Sequence, residues 1–188
     1  MDKIIIRRVK EGDARAWVLL RNAVWRSSHG QIYPKEVFDK RDREVEERIK
    51  KFKERINESG YAGYVATVND KIIGFADGVP LSHYNYYKKQ GYAELMAVYV
   101  NPKYNHRGAG RALAYEVCKQ LKKLGPTKAV TCTLKDNRQA RLACEKAGGV
   151  LDAHEEYFIE FGKEYPTVFY LYDLSKIKTA TDYENKSK

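Results

Sequence analysis

The residues with most chemical promise lie in one run, Glu94-Leu95-Met96-Ala97-Val98-Tyr99-Val100-Asn101-Pro102-Lys103-Tyr104-Asn105-His106-Arg107-Gly108-Ala109-Gly110-Arg111-Ala112-Leu113. An apolar strand ends, a basic loop with two glycines follows, and a helix starts on that loop. The first amides of a helix have no acceptor within it. They point outward, and the helix dipole adds positive potential there. Gly108 and Gly110 let an anion approach the backbone, and Arg107 and Arg111 add full charges. Such an assembly suits a diphosphate. A P-loop would end in Gly-Lys-Ser/Thr, and a dinucleotide loop would carry a third glycine where Leu113 stands.

The elements that must position this loop can be read on either side of it. Residues 3–9 form a short β-branched strand. Asp13 is placed to cap a helix running to about Arg26, and residues 27–30 read as a loop. Pro34 opens a second helical region that ends at Gly60, with Val45, Ile49, Phe52 and Ile56 on one face. Residues 62–68 and 71–77 form a hairpin across Asn69-Asp70. Residues 81–91 read as a tyrosine-rich loop, and 92–100 as the strongest strand. Helices over 107–124 and 137–147 flank a strand over 128–134, and two strands around 150–161 and 167–174 close the chain. The order β-α-α-β-β-β-α-β-α-β-β implies one α/β domain over 1–174, with a mixed, mostly antiparallel sheet of six to seven strands and four helices. Residues 175–188 are polar and read as a frayed tail.

Composition narrows the function classes. The 188 residues carry 35 Lys and Arg against 25 Asp and Glu, a net charge of +10, which favours an anionic partner. The charge is spread along the chain rather than gathered in one arm, which argues against nucleic acid. No apolar run is long enough for a membrane span, and no signal peptide is evident, so the cytoplasm is the expected compartment. Cys118, Cys132, Cys144 and the four histidines are scattered, so no metal site is expected.

The segment Asn105-His106-Arg107-Gly108-Ala109-Gly110 resembles motif A of the GCN5-related N-acetyltransferase (GNAT) superfamily, Gln/Arg-x-x-Gly-x-Gly/Ala, with Asn in the first place. Downstream, Asn137 and then Ala140-Arg141-Leu142-Ala143-Cys144-Glu145-Lys146-Ala147-Gly148 are similar to that family's Asn…Ala-x-x-Phe-Tyr-Glu-Lys-x-Gly. Val24-Trp25-Arg26 and Tyr33-Pro34 resemble the acceptor-side helices of small-molecule members. The resemblance implies acetyl-CoA as co-substrate and no metal. Backbone groups of Val98, Tyr99 and Val100 would hold the pantetheine arm. Asn105 opens the cofactor loop, amides from His106 through Arg107, Gly108, Ala109, Gly110 and Arg111 would hold the pyrophosphate, and Asn137 would bond the arm. Glu94, four residues before Val98, matches the catalytic glutamate of histone-modifying members and is the expected base. A backbone N–H near Val98 would stabilise the oxyanion. Cys144 stands where many members carry a tyrosine acid. It is either a proton donor or a small packed residue.

The acceptor pocket is expected between the first two helices and the last strands, with Trp25, His29, Tyr33, Tyr84, Tyr157 and Tyr165 as lining candidates. His29 is read as an exposed loop residue. The leading expectation is transfer of acetyl to a primary amine of a small molecule, in a ternary complex. The alternatives are a protein N-terminus or lysine as acceptor, or an acyl-CoA-binding module without catalysis. Members are often homodimers, but nothing in this sequence indicates an interface.

Overall fold

The computed structural model describes residues 3–177. The chain runs β1 (Ile5–Arg8), α1 (Ala14–His29), α2 (Lys35–Arg43), α3 (Val45–Ile56), β2 (Ala62–Val68), β3 (Lys71–Val79), α4 (Asn85–Lys88), β4 (Ala93–Val100), α5 (Ala109–Lys123), β5 (Lys128–Leu134), α6 (Arg138–Lys146), β6 (Val150–Glu160) and β7 (Lys163–Asp173). The strands form one sheet in the order β1-β2-β3-β4-β5-β7-β6. Neighbours are antiparallel except β4 and β5. The α/β fold with a mostly antiparallel seven-stranded sheet is as expected, although the described residues hold six helices rather than four.

Two apolar layers sandwich the sheet. On one face, α5 brings Leu113, Val117 and Leu121 against Ala66, Ala76, Ala93 and Leu95. This packing is close: a Cβ at Gly78 of β3 would lie 2.6 Å from the Glu94 carbonyl oxygen and 2.9 Å from Val117. On the other face, α1 and α3 cover Val65 and Phe75. Trp17 stacks on Phe52 at 4.3 Å and on Phe75 at 3.9 Å, and is fully buried. Truncating such a side chain costs about 3–5 kcal/mol.

Several boundaries depart from the sequence reading. Residues 27–29 belong to α1. Ser28 Oγ donates back to the Val24 carbonyl at 2.8 Å, so a serine pair that reads as loop stays helical. Asp13 occupies the N-cap of α1, but its side chain makes no capping bond. Its carboxylate accepts from the Lys10 amide at 2.8 Å and, bidentately, from Arg7 at 2.7 and 2.8 Å. The second helical region breaks at Glu44 (φ −92°, ψ 12°) into α2 and α3. One turn of helix, α4, interrupts the 81–91 loop, and β7 starts at Lys163, four residues earlier than expected. Residues 174–176 form a 3-10 turn, and the remainder of the expected tail beyond 177 lies outside the described residues.

Candidate active site

The loop between β4 and α5 is built by backbone conformation. Asn101 starts a 3-10 turn, Pro102–Tyr104, by accepting from the Lys103 amide at 3.0 Å. His106 (φ 61°) and Gly108 (φ 82°) are both left-handed, and Gly108 is the N-cap of α5. A Cβ at Gly108 would meet nothing within 4 Å, and one at Gly110 only Val100 at 3.5 Å and Val98 at 3.8 Å. The space over the helix start is therefore open rather than filled by packing. The first bond closing the helix is Ala112 N–H to the Gly108 carbonyl at 3.0 Å, which leaves the preceding amides directed at that space. Arg107 lies 5.5 Å from the centre of the Tyr104 ring, and Arg111 is exposed.

Beside the loop the sheet opens. β4 and β5 pair only at Ala93/Ala129 and Glu94/Val130. One residue on, Thr131 Oγ1 of β5 donates to the Leu95 carbonyl at 2.6 Å, and past Leu95 the backbone ladder of β4 is with β3 alone. The Asn101 amide donates to the Ile73 carbonyl at 2.8 Å, which fixes the phase of the ladder. By alternation, Tyr99 exchanges its hydrogen bonds with Phe75, while the N–H and C=O of Val98 and Val100 face the gap left by β5.

The opposite face of the gap is spanned by the end of α1. Trp25 Nε1 donates to the Tyr99 hydroxyl of β4 at 2.7 Å. One turn later His29 Nε2 meets Asn137 Nδ2, just after β5, at 3.2 Å. The partners decide the tautomer. Ser28 donates to Val24, so it accepts from His29 Nδ1 at 2.7 Å, and Nε2 accepts from Asn137. Asn137 Oδ1 in turn accepts from the Ala140 amide at 3.1 Å and caps α6. Burial lowers His29 to about 4, so it is neutral near pH 7. Trp25, His29 and Tyr33 stack, Tyr165 meets Tyr33 edge-on at 4.5 Å, and Arg41 lies 3.4 Å over the Trp25 ring.

Residues 20–148 match the model of the acetyltransferase (GNAT) family. The chain belongs to that family. Its enzyme class is therefore acyltransferase, as the motif resemblance implied. Among curated proteins none matches the chain. Solved structures of similar fold include the PaiA N-acetyltransferase of Thermoplasma acidophilum in complex with coenzyme A, with a TM-score of 0.67 and 19% identity, covering 91% of this chain and 99% of that one. YncA of Salmonella typhimurium with its cofactor acetyl-CoA gives 0.68 and 18%, over 94% and 96%. The ribosomal-protein-S18-alanine N-acetyltransferase of Escherichia coli gives 0.61 and 18%, over 95% and 96%.

Within this GNAT fold, the expected site residues divide. Asn105 through Arg111, Val98 and Val100 lie together at the loop and the open strand edge. Tyr99 lies between them, but its backbone is taken by β3, and its phenol accepts from Trp25 on the α1 face instead. His29 is not an exposed loop residue: it is buried, because α1 runs on and Asn137 anchors it. Asn137 spends its oxygen and one N–H inside the protein. Trp25, His29, Tyr33 and Tyr165 converge. Tyr84 sits farther along the same face, edge-on to Phe169 at 4.9 Å and beside Cys132, with burial raising its hydroxyl well above the ordinary phenol range. Tyr157 is 59% exposed on β6 and does not join the site.

Glu94 is buried, and its Oε2 accepts from Ser82 Oγ at 3.2 Å, the His83 amide at 2.8 Å and His83 Nδ1 at 3.1 Å. The His83 side chain is largely exposed. Cys144 is half-buried. Burial raises its thiol, while the Tyr172 hydroxyl beside it acts in the opposite sense. Burial pushes Cys118 and Cys132 to about 12 and about 11, in keeping with core positions. Sequence reasoning missed Asp77. This buried acid of β3 accepts from the Tyr61 hydroxyl at 3.0 Å and is raised by desolvation. Only its isolation in an apolar, β-branched strand marked it. Among the described residues no group of His, Cys, Asp and Glu could hold a metal, and no helix is long and apolar enough to cross a membrane.

Proposed function

We propose that this acyltransferase moves an acetyl group from acetyl-CoA to a primary amine of a small molecule, by direct attack with both substrates bound. One observation carries the reading. The open edge of β4 has an uncovered helix start with unpaired amides on one face and an aromatic, basic face on the other, so that donor and acceptor can meet at the same strand from opposite sides.

In this reading, the amides of residues 106–111 hold the pyrophosphate, with Arg107 and Arg111 adding charge. Val98 and Val100 supply peptide groups to the pantetheine arm, and Asn137 offers its second N–H. The Val98 amide stabilises charge developing on the acetyl oxygen. The acceptor enters over Trp25, His29 and Tyr33, with Tyr84 at the far end. The crowding of that face favours a small amine over an extended peptide. An ammonium must lose a proton before it attacks. His29 is not the base, because its lone pair is engaged by Asn137. Glu94 takes the proton, and His83 links it to solvent. Four residues of strand separate Glu94 from Val98, about 13 Å, so the proton travels through water. Cys144 is a packing residue here.

The test is thiol release from acetyl-CoA with a panel of small amines and with peptides bearing a free N-terminus or a lysine. Turnover confined to small amines is expected. Turnover of peptides alone, or coenzyme A binding without any turnover, would overturn the reading.

A further inference from the structure

Each of the three helices on the acceptor face sends an arginine to the same place. α1 carries Arg21, one turn before Trp25, α2 carries Arg41 and α3 carries Arg48. The Nε atoms of all three, and Nη1 of Arg41, are buried without an acceptor among the described residues. Arg48 is paired with Glu44 at 2.6 Å. Among the described residues, no acid lies within 4.0 Å of the guanidinium of Arg21 or Arg41.

Half-buried like charges are unfavourable unless something answers them. Burial lowers Arg41 to about 10, and its neighbours Arg21 and Arg48 push it further in the same direction. The available acids answer poorly. Asp77 is raised by desolvation and lowered in turn by Arg21, whose charge it meets only from beyond 4.0 Å with its Oδ1 left without a donor, and Glu160 acts on Arg41 likewise from a distance. Two unpaired guanidinium groups against that weak compensation leave room for a single negative charge. Of Arg21 only Nε is sealed, so its two Nη groups can meet a carboxylate with two parallel hydrogen bonds, while Arg41, with Nε and Nη1 sealed, can add one from Nη2. The groups stand beside Trp25 and Tyr99, on the acceptor side of the open strand edge.

We propose that Arg21 and Arg41 dock a carboxylate carried by the acceptor, so that the enzyme acts on amines bearing an acid group, such as amino acids, rather than on polyamines. This deepens the small-amine reading and rests on it.

The test compares matched acceptors in the thiol-release assay: lysine with cadaverine, phenylalanine with phenethylamine, and O-phosphoethanolamine as the phosphate arm. The acid-bearing member of each pair is expected to have the higher kcat/KM by about tenfold or more. Arg41→Gln and Arg21→Gln should each pull that ratio toward one, and Arg41→Lys should fall between. Equal use of both members, an unchanged ratio in the glutamine variants, or preference for the phosphate overturns the proposal.

A second arm needs no turnover, so it separates this proposal from the transfer reading. Of the two tryptophans, Trp17 is buried in the core, so Trp25 reports on the site. Propionate at constant ionic strength should change the fluorescence saturably. The response should vanish in Trp25→Phe and weaken in Arg41→Gln. A flat response in the wild-type protein overturns the carboxylate site. A saturable response in a protein that turns over no amine supports the site and overturns only the transfer reading.

Discussion

The two faces of the gap between β4 and β5 are built by different means. On the α5 face the groups that meet the gap are peptide N–H and C=O, positioned by a helix start, two left-handed residues and a strand that has lost its partner. On the α1 face they are side chains drawn from α1, α2, α3 and the turn after β5. The first kind of site is local in sequence and tolerant of side-chain identity. The second depends on long-range packing, and each member fails with its neighbour.

The sharpest way to break that comparison is at the loop. Gly110→Glu should fold, since a Cβ there makes only ordinary contacts, but should lower affinity for coenzyme A by at least about 100-fold by placing an anion on an anion site. Calorimetry measures this, and wild-type affinity would show that the diphosphate lies elsewhere. Next comes Glu94→Gln, which keeps an acceptor oxygen for Ser82 and His83. We expect kcat to fall about 100-fold with loss of one limb of the pH profile, and cofactor affinity to hold. An unchanged profile would remove Glu94 from proton transfer.

On the acceptor face, Asn137→Ala should cost about 2–3 kcal/mol in urea unfolding, because it uncaps α6 and strands His29. Stability should also depend on pH through His29. The unfolded chain takes up a proton near 6.5, but the folded one only at about 4. Stability should therefore fall as the pH drops through that window, by a total on the order of 3 kcal/mol, and His29→Gln should flatten the dependence. A wild-type curve that is level between those values would mean that His29 protonates freely in place. The smallest effect is expected from Cys144→Ser, within about threefold in kcat for a packing residue. A large, pH-dependent loss would return it to the chemistry.

The same contrast explains what was legible in the sequence. The run from Glu94 to Leu113 could be read because strand, glycine loop and helix start lie in consecutive residues, and because the groups proposed to bind are backbone. The hairpin at Asn69-Asp70 and the apolar faces of α3 and α5 were readable for the same local reason. His29 was misplaced because Ser27-Ser28 looks like a helix end, and its anchoring partner, Asn137, is 108 residues away in sequence. Arg21 and Arg41 could not be told from the many solvated cations of a basic chain. Asp77, Tyr99 and Arg41 acquire their roles only when β3, β4 and α2 are brought together.

The bonds that tie the turn after β5 to α1 all run one way: from the Ala140 amide through the Asn137 carboxamide and the His29 ring to Ser28 and the Val24 carbonyl. A chain of donors with a single sense has no half-reversed form. Protonating the ring at Nε2 would oblige the carboxamide to turn over, and a turned carboxamide presents an amino group to an amide that needs an oxygen. The ring charge would then be met by the carboxamide oxygen and α1 would stay held while α6 lost its cap, so one carboxamide serves both sides of the cleft only while the ring is neutral.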